Sequence, residues 1–342
     1  MNRSRGSIVV SVKDVAVAAG VSVGTVSNVL NHPDKVSPAT VQRVQQVIAE
    51  LGFVRNDAAR QLRAGRSRSI GLVVLDVGNP FFAEVARGAE QRAAEENLVV
   101  LLGGADQSPE RESAYLDLFR EQRVLGVLIT PVSDDLAALR RLDAAGIPVI
   151  LVDREMPEES FRSVSVDDVE GGYLAVSHLL ERGRRRIAVV AGPASIPQVA
   201  DRLEGARRAV AEHSDATLEV IEVAALTVLE GREVGERIRL AQDRPDAVFA
   251  VNDLLAVGVL QALAFAGSGV RVPEDVALIG YDDIDFAAST VVPLSSIRQP
   301  ARMLGRTAVD LLLAEPEGAG ERTIRYRPEL VVRESTAGVS AN

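Results

Sequence analysis

The chain has 342 residues, no cysteine and a formal net charge of −10 at pH 7. This length is enough for about two or three domains with buried cores, and the absence of cysteine excludes disulfides and thiolate metal sites. No apolar run reaches the ~18 residues of a membrane helix, and the N-terminus lacks the apolar segment of a secretory signal, so a cytoplasmic protein is expected.

The charge is distributed unevenly along the chain. Residues 1–69 carry ten Lys or Arg and four Asp or Glu, a net of +6, whereas the remainder has a net charge of −16. Nucleic-acid affinity depends on local positive charge meeting phosphate. The N-terminal fifth is therefore predicted to bind DNA, and the acidic remainder is predicted to repel it.

Three helices are predicted between residues 12 and 52. The first stops at Gly20, and its apolar positions recur at the i, i+3, i+4, i+7 spacing of one helix face: Val12, Val15, Ala16 and Ala19. Ser22 is an N-cap for a second helix, and Ser37 with Pro38 begins a third that ends at Gly52. Two short helices joined across a glycine-containing turn make a helix-turn-helix.

The N-terminal end of the second helix is the predicted reading surface. In a helix-turn-helix this end enters the major groove. The residues placed to meet bases or phosphates are Ser22, Val23, Gly24, Thr25, Ser27 and Asn28.

The run KDVAVAAGVSVGTVSNVLN, residues 13–31, resembles the opening of the LacI/GalR (lac repressor) family of bacterial transcription regulators. The resemblance implies a flexible tail over 1–11, a helix-turn-helix domain over 12–57 and a hinge over 58–69. It also implies that residues 56–62 form a short helix on DNA, with Leu62 prying open a base step as minor-groove wedges do. The hinge contacts carried over in this way are Asn56, Ala59, Arg60 and Leu62.

From Ile70 onward, short apolar runs alternate with amphipathic helices. Such runs, bounded by turns, indicate parallel strands covered on both faces, and two sets of them predict two similar α/β lobes. Four polar residues stand at or just after the ends of these runs, where open α/β sheets place their ligands: Asp76, Asp153, Asn252 and Asp282.

This part is similar to the periplasmic-binding-protein-like core of the same family, through motifs such as NPFF at 79–82, VND at 251–253 and SIRQP at 296–300. The implied fold is an all-α helix-turn-helix headpiece plus hinge helix, followed by a two-lobed α/β effector domain of type I over 70–337. The first lobe is expected at about 70–166 and 298–321, and the second at about 167–297 and 322–337, with three crossings between them.

Nine residues resemble the ligand-contacting set of ribose-binding periplasmic proteins: Asn79, Phe81, Phe82, Asp153, Arg154, Arg202, Asn252, Asp282 and Gln299. By that resemblance the two phenylalanines are walls for a sugar ring, and Asp153 with Arg154 and Asp282 with Arg202 are polar clamps. Aromatic faces with convergent charged and amide groups suit a monosaccharide. A purine stacked on the phenylalanines, or a cleft without any ligand response, stays open.

The resulting prediction is an allosteric repressor of a carbohydrate uptake or catabolic operon. It would bind a pseudo-palindromic double-stranded operator as a homodimer and respond to a small molecule, without cofactor, metal or membrane. An enzyme is the rival class, but no Walker A, GxGxxG, GxSxG or HExxH motif of an active site is expected. A periplasmic binding protein is a second rival, and it would have no use for residues 12–69.

Overall fold

A computed structural model describes residues 10–53, 67–133, 135–156, 161–265, 269–315 and 323–337. The chain divides into two compact units, Met1–Arg66 and Ser67–Asn342. The predicted fold class, a helical headpiece followed by a two-sheet α/β domain, is confirmed.

The N-terminal unit contains the three predicted helices: α1 Val12–Ala19, α2 Val23–Asn31 and α3 Pro38–Leu51, with a short 3-10 turn at Pro33–Lys35. Gly20 and Gly52 end α1 and α3 in the left-handed conformation, at φ 65° and 61°, which glycine adopts without steric cost. The apolar stripes meet in one small core of Val15, Ala16, Ala19, Val26, Val29 and Val44.

The C-terminal unit is built on two six-stranded sheets. The first contains β1 Ser69–Val74, β2 Val99–Gly104, β3 Gly126–Ile129, β4 Val149–Val152, β5 Arg162–Val166 and β11 Thr323–Tyr326. The second contains β6 Arg186–Ala191, β7 Thr217–Glu222, β8 Ala247–Ala250, β9 Ala277–Asp282, β10 Ser295–Arg298 and β12 Glu329–Val331. Their orders are β11-β5-β4-β3-β1-β2 and β12-β10-β9-β8-β6-β7. All neighbours are parallel except β10 and β12, so the carboxyl ends of the strands share one edge in each lobe.

Helices cover these sheets. Those packed against the first sheet are α4 Pro80–Glu95, α5 Pro109–Glu121, α6 Ala137–Ala144 and α11 Ala301–Leu313. The others are α7 Asp168–Glu181, α8 Pro197–Ala211, α9 Val228–Leu240, α10 Asp253–Leu263 and the single turn α12 Glu334–Ala337. None of the helices in the described residues is both long and apolar enough to cross a membrane.

One predicted lobe boundary is wrong. Residues 322–337 were all expected in the second lobe, but Thr323–Tyr326 pairs in parallel with Ser163–Val166 and so extends the first sheet. After β11 the chain returns to the second sheet, where β12 pairs with β10. The passages between the sheets therefore fall after β5, after β10 and after β11.

Candidate functional site

The first candidate site is the exposed start of α2 in the N-terminal unit. The helix begins where it was predicted to, because Ser22 Oγ accepts a hydrogen bond from the Thr25 amide at 3.1 Å. Val26 and Val29 point into the core, whereas Val23 and Asn28 are exposed. Thr25 and Ser27 are partly buried. The core residues of α2 and its predicted DNA-reading residues thus lie on different faces of the helix.

Residues Gly20–Gly24 spell GxSxG, a pattern that in α/β-hydrolases places a nucleophilic serine on a strand-to-helix turn. Here the turn joins two helices. Ser22 Oγ caps α2 and lies 2.9 Å from Thr25 Oγ1. Ser22 in this pattern therefore caps a helix and does not have the setting of a hydrolase nucleophile.

Replacing Asn28 with arginine is expected to move base preference from adenine toward guanine at one operator position. Asparagine pairs bidentately with adenine N6 and N7, arginine with guanine O6 and N7, and each good pair discriminates by about 1–3 kcal/mol. Binding-site selection with both proteins checks this. Exposed Asn31, on the same helix, supplies the control Asn31→Arg, and identical selected sites for wild type and Asn28→Arg would refute the assignment.

The predicted hinge contacts Asn56, Ala59, Arg60 and Leu62 lie outside the described residues. Their role stays a prediction from the resemblance.

The second candidate site lies at the carboxyl ends of the strands in the C-terminal unit. Asp153 directly follows β4, Asn252 follows β8 after one residue, and Asp282 ends β9. All three are buried. Asp153 and Asp282 have φ values of 56° and 104°, which non-glycine residues adopt uncommonly. Asp76 is only half-buried and accepts from the Gly78 amide at 2.7 Å, so it forms a turn.

Asp282 is the centre of a buried polar cluster that draws on both lobes. Its Oδ2 accepts from Asn79 Nδ2 of the first lobe at 3.2 Å, and its Oδ1 accepts from Gln299 Nε2 at 2.8 Å. Arg202 Nη1 lies 3.8 Å from the same Oδ1. The structure thus brings four of the nine predicted effector residues together.

Arg202 is more firmly held by residues that the sequence did not single out. Its Nε donates to Asp168 at 2.8 Å, its Nη1 donates to the Val251 carbonyl at 2.8 Å, and its guanidinium lies 3.7 Å from the centre of the Tyr281 ring. The predicted Asp282–Arg202 clamp is therefore the weaker of two ion pairs. In the sequence, the two consecutive aspartates that follow β5, Asp167 and Asp168, could have marked Asp168 as a candidate site residue.

Asp153 has a partner on α8. Gln198 Nε2 donates to the Asp153 carbonyl oxygen at 2.6 Å and to Oδ2 at 3.2 Å. Arg154, the partner expected from the sequence, is partly exposed beside it. No feature of the sequence marked Gln198, which reaches this site only because α8 packs over the second sheet.

Close helix packing sets the position of Arg202. A Cβ built on Gly172 of α7 would lie 1.9 Å from the Arg202 carbonyl oxygen, and one on Gly205 would lie 1.9 Å from the Val169 carbonyl oxygen. Only residues without a side chain permit this approach. The backbone of Arg202 is consequently fixed against α7, beside Asp168.

The remaining predicted residues have structural partners as well. Phe81 and Phe82 are buried in the core, with ring centres 5.0 Å apart in an edge-to-face pair. Asn79 Oδ1 caps α4 through the Phe81 amide at 3.0 Å. Asn252 Oδ1 caps α10, and its Nδ2 donates to the Leu226 carbonyl at 3.3 Å. These capping bonds hold Asn79 and Asn252 in fixed orientations at the cleft.

Burial dominates the electrostatics of the cluster. Loss of hydration raises the pKa of Asp282 to about 6, against the opposing effect of Arg202. The pKa of Asp153 is also raised, by burial and by the neighbouring Asp168 carboxylate. No group of three His, Cys, Asp or Glu able to hold a metal ion occurs among the described residues. The cluster is suited to accepting hydrogen bonds from a ligand.

A helix-turn-helix unit followed by a two-lobed α/β domain with a buried polar cleft is the architecture of a DNA-binding transcriptional regulator. Residues 11–56 match the family of bacterial regulatory proteins, lacI family, and residues 176–336 match a periplasmic binding protein-like domain.

The ribose operon repressor of Bacillus subtilis is 36% identical over 303 residues, which cover 89% of this chain and 90% of that protein. The HTH-type transcriptional repressor PurR of Aliivibrio fischeri is 33% identical over 96% of this chain and 98% of its own length. The crystal structure of the lac repressor dimer bound to operator and the anti-inducer ONPF covers 96% of this chain and 99% of its own, with a TM-score of 0.80 and 29% identity. The chain belongs to the lacI family of bacterial regulatory proteins.

Proposed function

We propose that this protein represses a carbohydrate uptake or catabolic operon and that a monosaccharide, ribose or a close relative, is its effector. The observation that carries the proposal is the convergence of carboxylate, amide and guanidinium groups at Asp153, Asp282, Asn79, Gln299 and Arg202. Such groups form directional hydrogen bonds to neighbouring hydroxyls. The likeness to the ribose operon repressor of Bacillus subtilis supports the same ligand class.

The proposed mechanism couples the cleft to DNA binding. A ligand that contacts both lobes favours their closed arrangement, because only that arrangement satisfies both sets of contacts. Asn79 and Asp282, joined at 3.2 Å, come from different lobes and mark where such a ligand would bridge them. The protein would act as a homodimer on a pseudo-palindromic operator, since helix-turn-helix dimers read two half-sites one DNA turn apart. The lac repressor dimer bound to operator supports this assembly.

A purine effector is the second candidate. Phe81 and Phe82 form an edge-to-face pair, and the Phe81 amide donates to Asn79 of the cluster. The likeness to the PurR repressor of Aliivibrio fischeri supports this candidate. The number of charged groups at the cleft favours a sugar, whose hydroxyls they can satisfy.

Thermal unfolding against pentoses, hexoses, sugar phosphates and purines tests the proposal. A ligand at ~100 times its dissociation constant stabilises the protein by about 2.7 kcal/mol, which raises the unfolding midpoint measurably. We expect a selective rise with ribose or a near relative. A rise only with purines would establish the second candidate, and no rise with any ligand would leave a regulator without an effector response.

A further inference from the structure

A cavity of about 360 Å³ adjoins the cleft at Asp153. Its size is within the roughly 300–1,000 Å³ of small-molecule pockets. The first lobe contributes Ser165 and Arg325, and the second contributes Gln198 and Asp201. Of the nine predicted effector residues only Asp153 and Arg154 line it. The cavity is thus next to the proposed sugar site but made largely of other residues, and we call it the acidic cavity.

Three buried oxygens of residues lining the acidic cavity have no hydrogen-bond partner in the described parts of the chain: Asp153 Oδ1, Ser165 Oγ and Gln198 Oε1. The three residues are only 4%, 4% and 6% exposed. A buried polar atom without a partner costs roughly 1–3 kcal/mol, and such atoms are rare in folded proteins. Three of them at one cavity indicate that something else supplies the hydrogen bonds.

The missing partner must donate hydrogen bonds. Gln198 Oε1 can only accept, because the Gln198 amide nitrogen already donates to the Asp153 carbonyl oxygen at 2.6 Å. Asp153 Oδ1 accepts when the carboxyl group is ionised. The hydroxyl of Ser165 can accept or donate. A group rich in O–H or N–H donors meets these requirements, whereas a group with acceptors only does not.

The charge of the cavity points in the same direction. Five carboxylates line it against two guanidinium groups. Arg325, one of the two, is held by Glu155 through its Nε at 2.8 Å and its Nη2 at 2.6 Å. Like charges repel one another, most strongly where burial excludes water. A phosphate placed here would meet five carboxylates and only two guanidinium groups, one of which is held by Glu155.

We infer that the acidic cavity is a second subsite of the effector cleft, which binds an uncharged, hydroxyl-bearing group and rejects phosphate. The inference rests on the proposed function and narrows it: the effector is a free sugar or an uncharged glycoside, not a sugar phosphate. Ser165 and Gln198 are specificity residues for that ligand.

Titration calorimetry on the full chain, with two matched pairs of probes, tests the inference. The pairs are D-ribose with D-ribose 5-phosphate, and D-glucose with D-glucose 6-phosphate. In the pair whose sugar binds, we expect the dissociation constant of the neutral sugar to be at least ten-fold lower than that of its phosphate. Asp201→Asn removes one exposed carboxylate at the cavity. This variant should show a smaller difference in affinity between the neutral sugar and its phosphate.

Ser165→Ala separates ligand binding from folding. The Ser165 hydroxyl has no protein partner, so its removal should leave the unfolding midpoint unchanged or raise it. Loss of one hydrogen bond to the sugar should weaken binding about three- to ten-fold. The matched control is Ser113→Ala, at an exposed position of α5, which should bind the sugar as wild type does.

The outcomes are distinguishable. Phosphates that bind as tightly as free sugars, or equal sugar affinity in Ser165→Ala and Ser113→Ala, would overturn the subsite and leave the sugar-responsive regulator standing. Failure of every probe to bind would overturn the sugar effector itself, and the subsite with it.

Discussion

The substitution Arg202→Leu is expected to lower the free energy of unfolding by about 3–5 kcal/mol, the usual cost of removing one partner of a buried ion pair. The Arg202 side chain is 6% exposed, and its guanidinium pairs with Asp168 at 2.8 Å and lies 3.8 Å from Asp282. Without it, these two carboxylates and Asp153 remain buried, and among the described residues Asp168 and Asp282 have no other ion-pair partner. The same change should abolish effector binding.

Urea denaturation of the variant measures this loss. Arg207→Leu is the matched control, because Arg207 lies on the same helix but is exposed, and surface substitutions usually change stability by less than about 0.5 kcal/mol. Equal unfolding midpoints for the two variants would show that the carboxylates do not depend on Arg202.

The contribution of Asp282 to the free energy of unfolding is expected to fall as pH rises from about 4 to about 6. The pKa of Asp282 is about 6 in the folded protein, against an ordinary value of 3.8 for an aspartate. Between these values the folded state holds a proton that the unfolded state has released, so rising pH favours unfolding. One pKa unit corresponds to about 1.4 kcal/mol, so the full loss is about 3 kcal/mol and is complete above pH 6.

Asp282→Asn should reduce this slope, because asparagine does not titrate. Asp153 and Asp253, whose pKa values burial also raises, should leave a remaining slope of the same sign. Chemical denaturation at a series of pH values checks both statements. Asp117→Asn alters an exposed carboxylate on α5 and should keep the wild-type slope. A variant Asp282→Asn with an unchanged slope would mean that Asp282 is ionised throughout.

The local elements were predictable because their signals are local. The N-caps and the terminal glycines of α1 and α3 stand next to the helices that they bound. The apolar runs of the parallel strands are nearly continuous, as expected for strands covered on both faces. The strand β11 was assigned to the wrong lobe because four residues of alternating exposure carry no information about which sheet they join.

The candidate site was predictable only in part, for a similar reason. Asp153 and Asp282 follow or end apolar strands, and the edge of a parallel sheet brings such residues together. Gln198 lies on a helix, and its contact with Asp153 depends on how α8 packs over its sheet. The angle at which α8 packs over its sheet cannot be predicted from the spacing of residues along the chain.

The most direct test of the central claim is the affinity of the full chain for its operator, measured by fluorescence anisotropy with and without saturating sugar. The operator is the DNA recovered by binding-site selection, and the sugar is the one that raises the unfolding midpoint. We expect the operator affinity to change by a factor of about 5–150, the usual range of allosteric coupling. Bound operator should change the sugar affinity by the same factor, since coupling is reciprocal. An operator affinity that is identical with and without bound sugar would contradict the account.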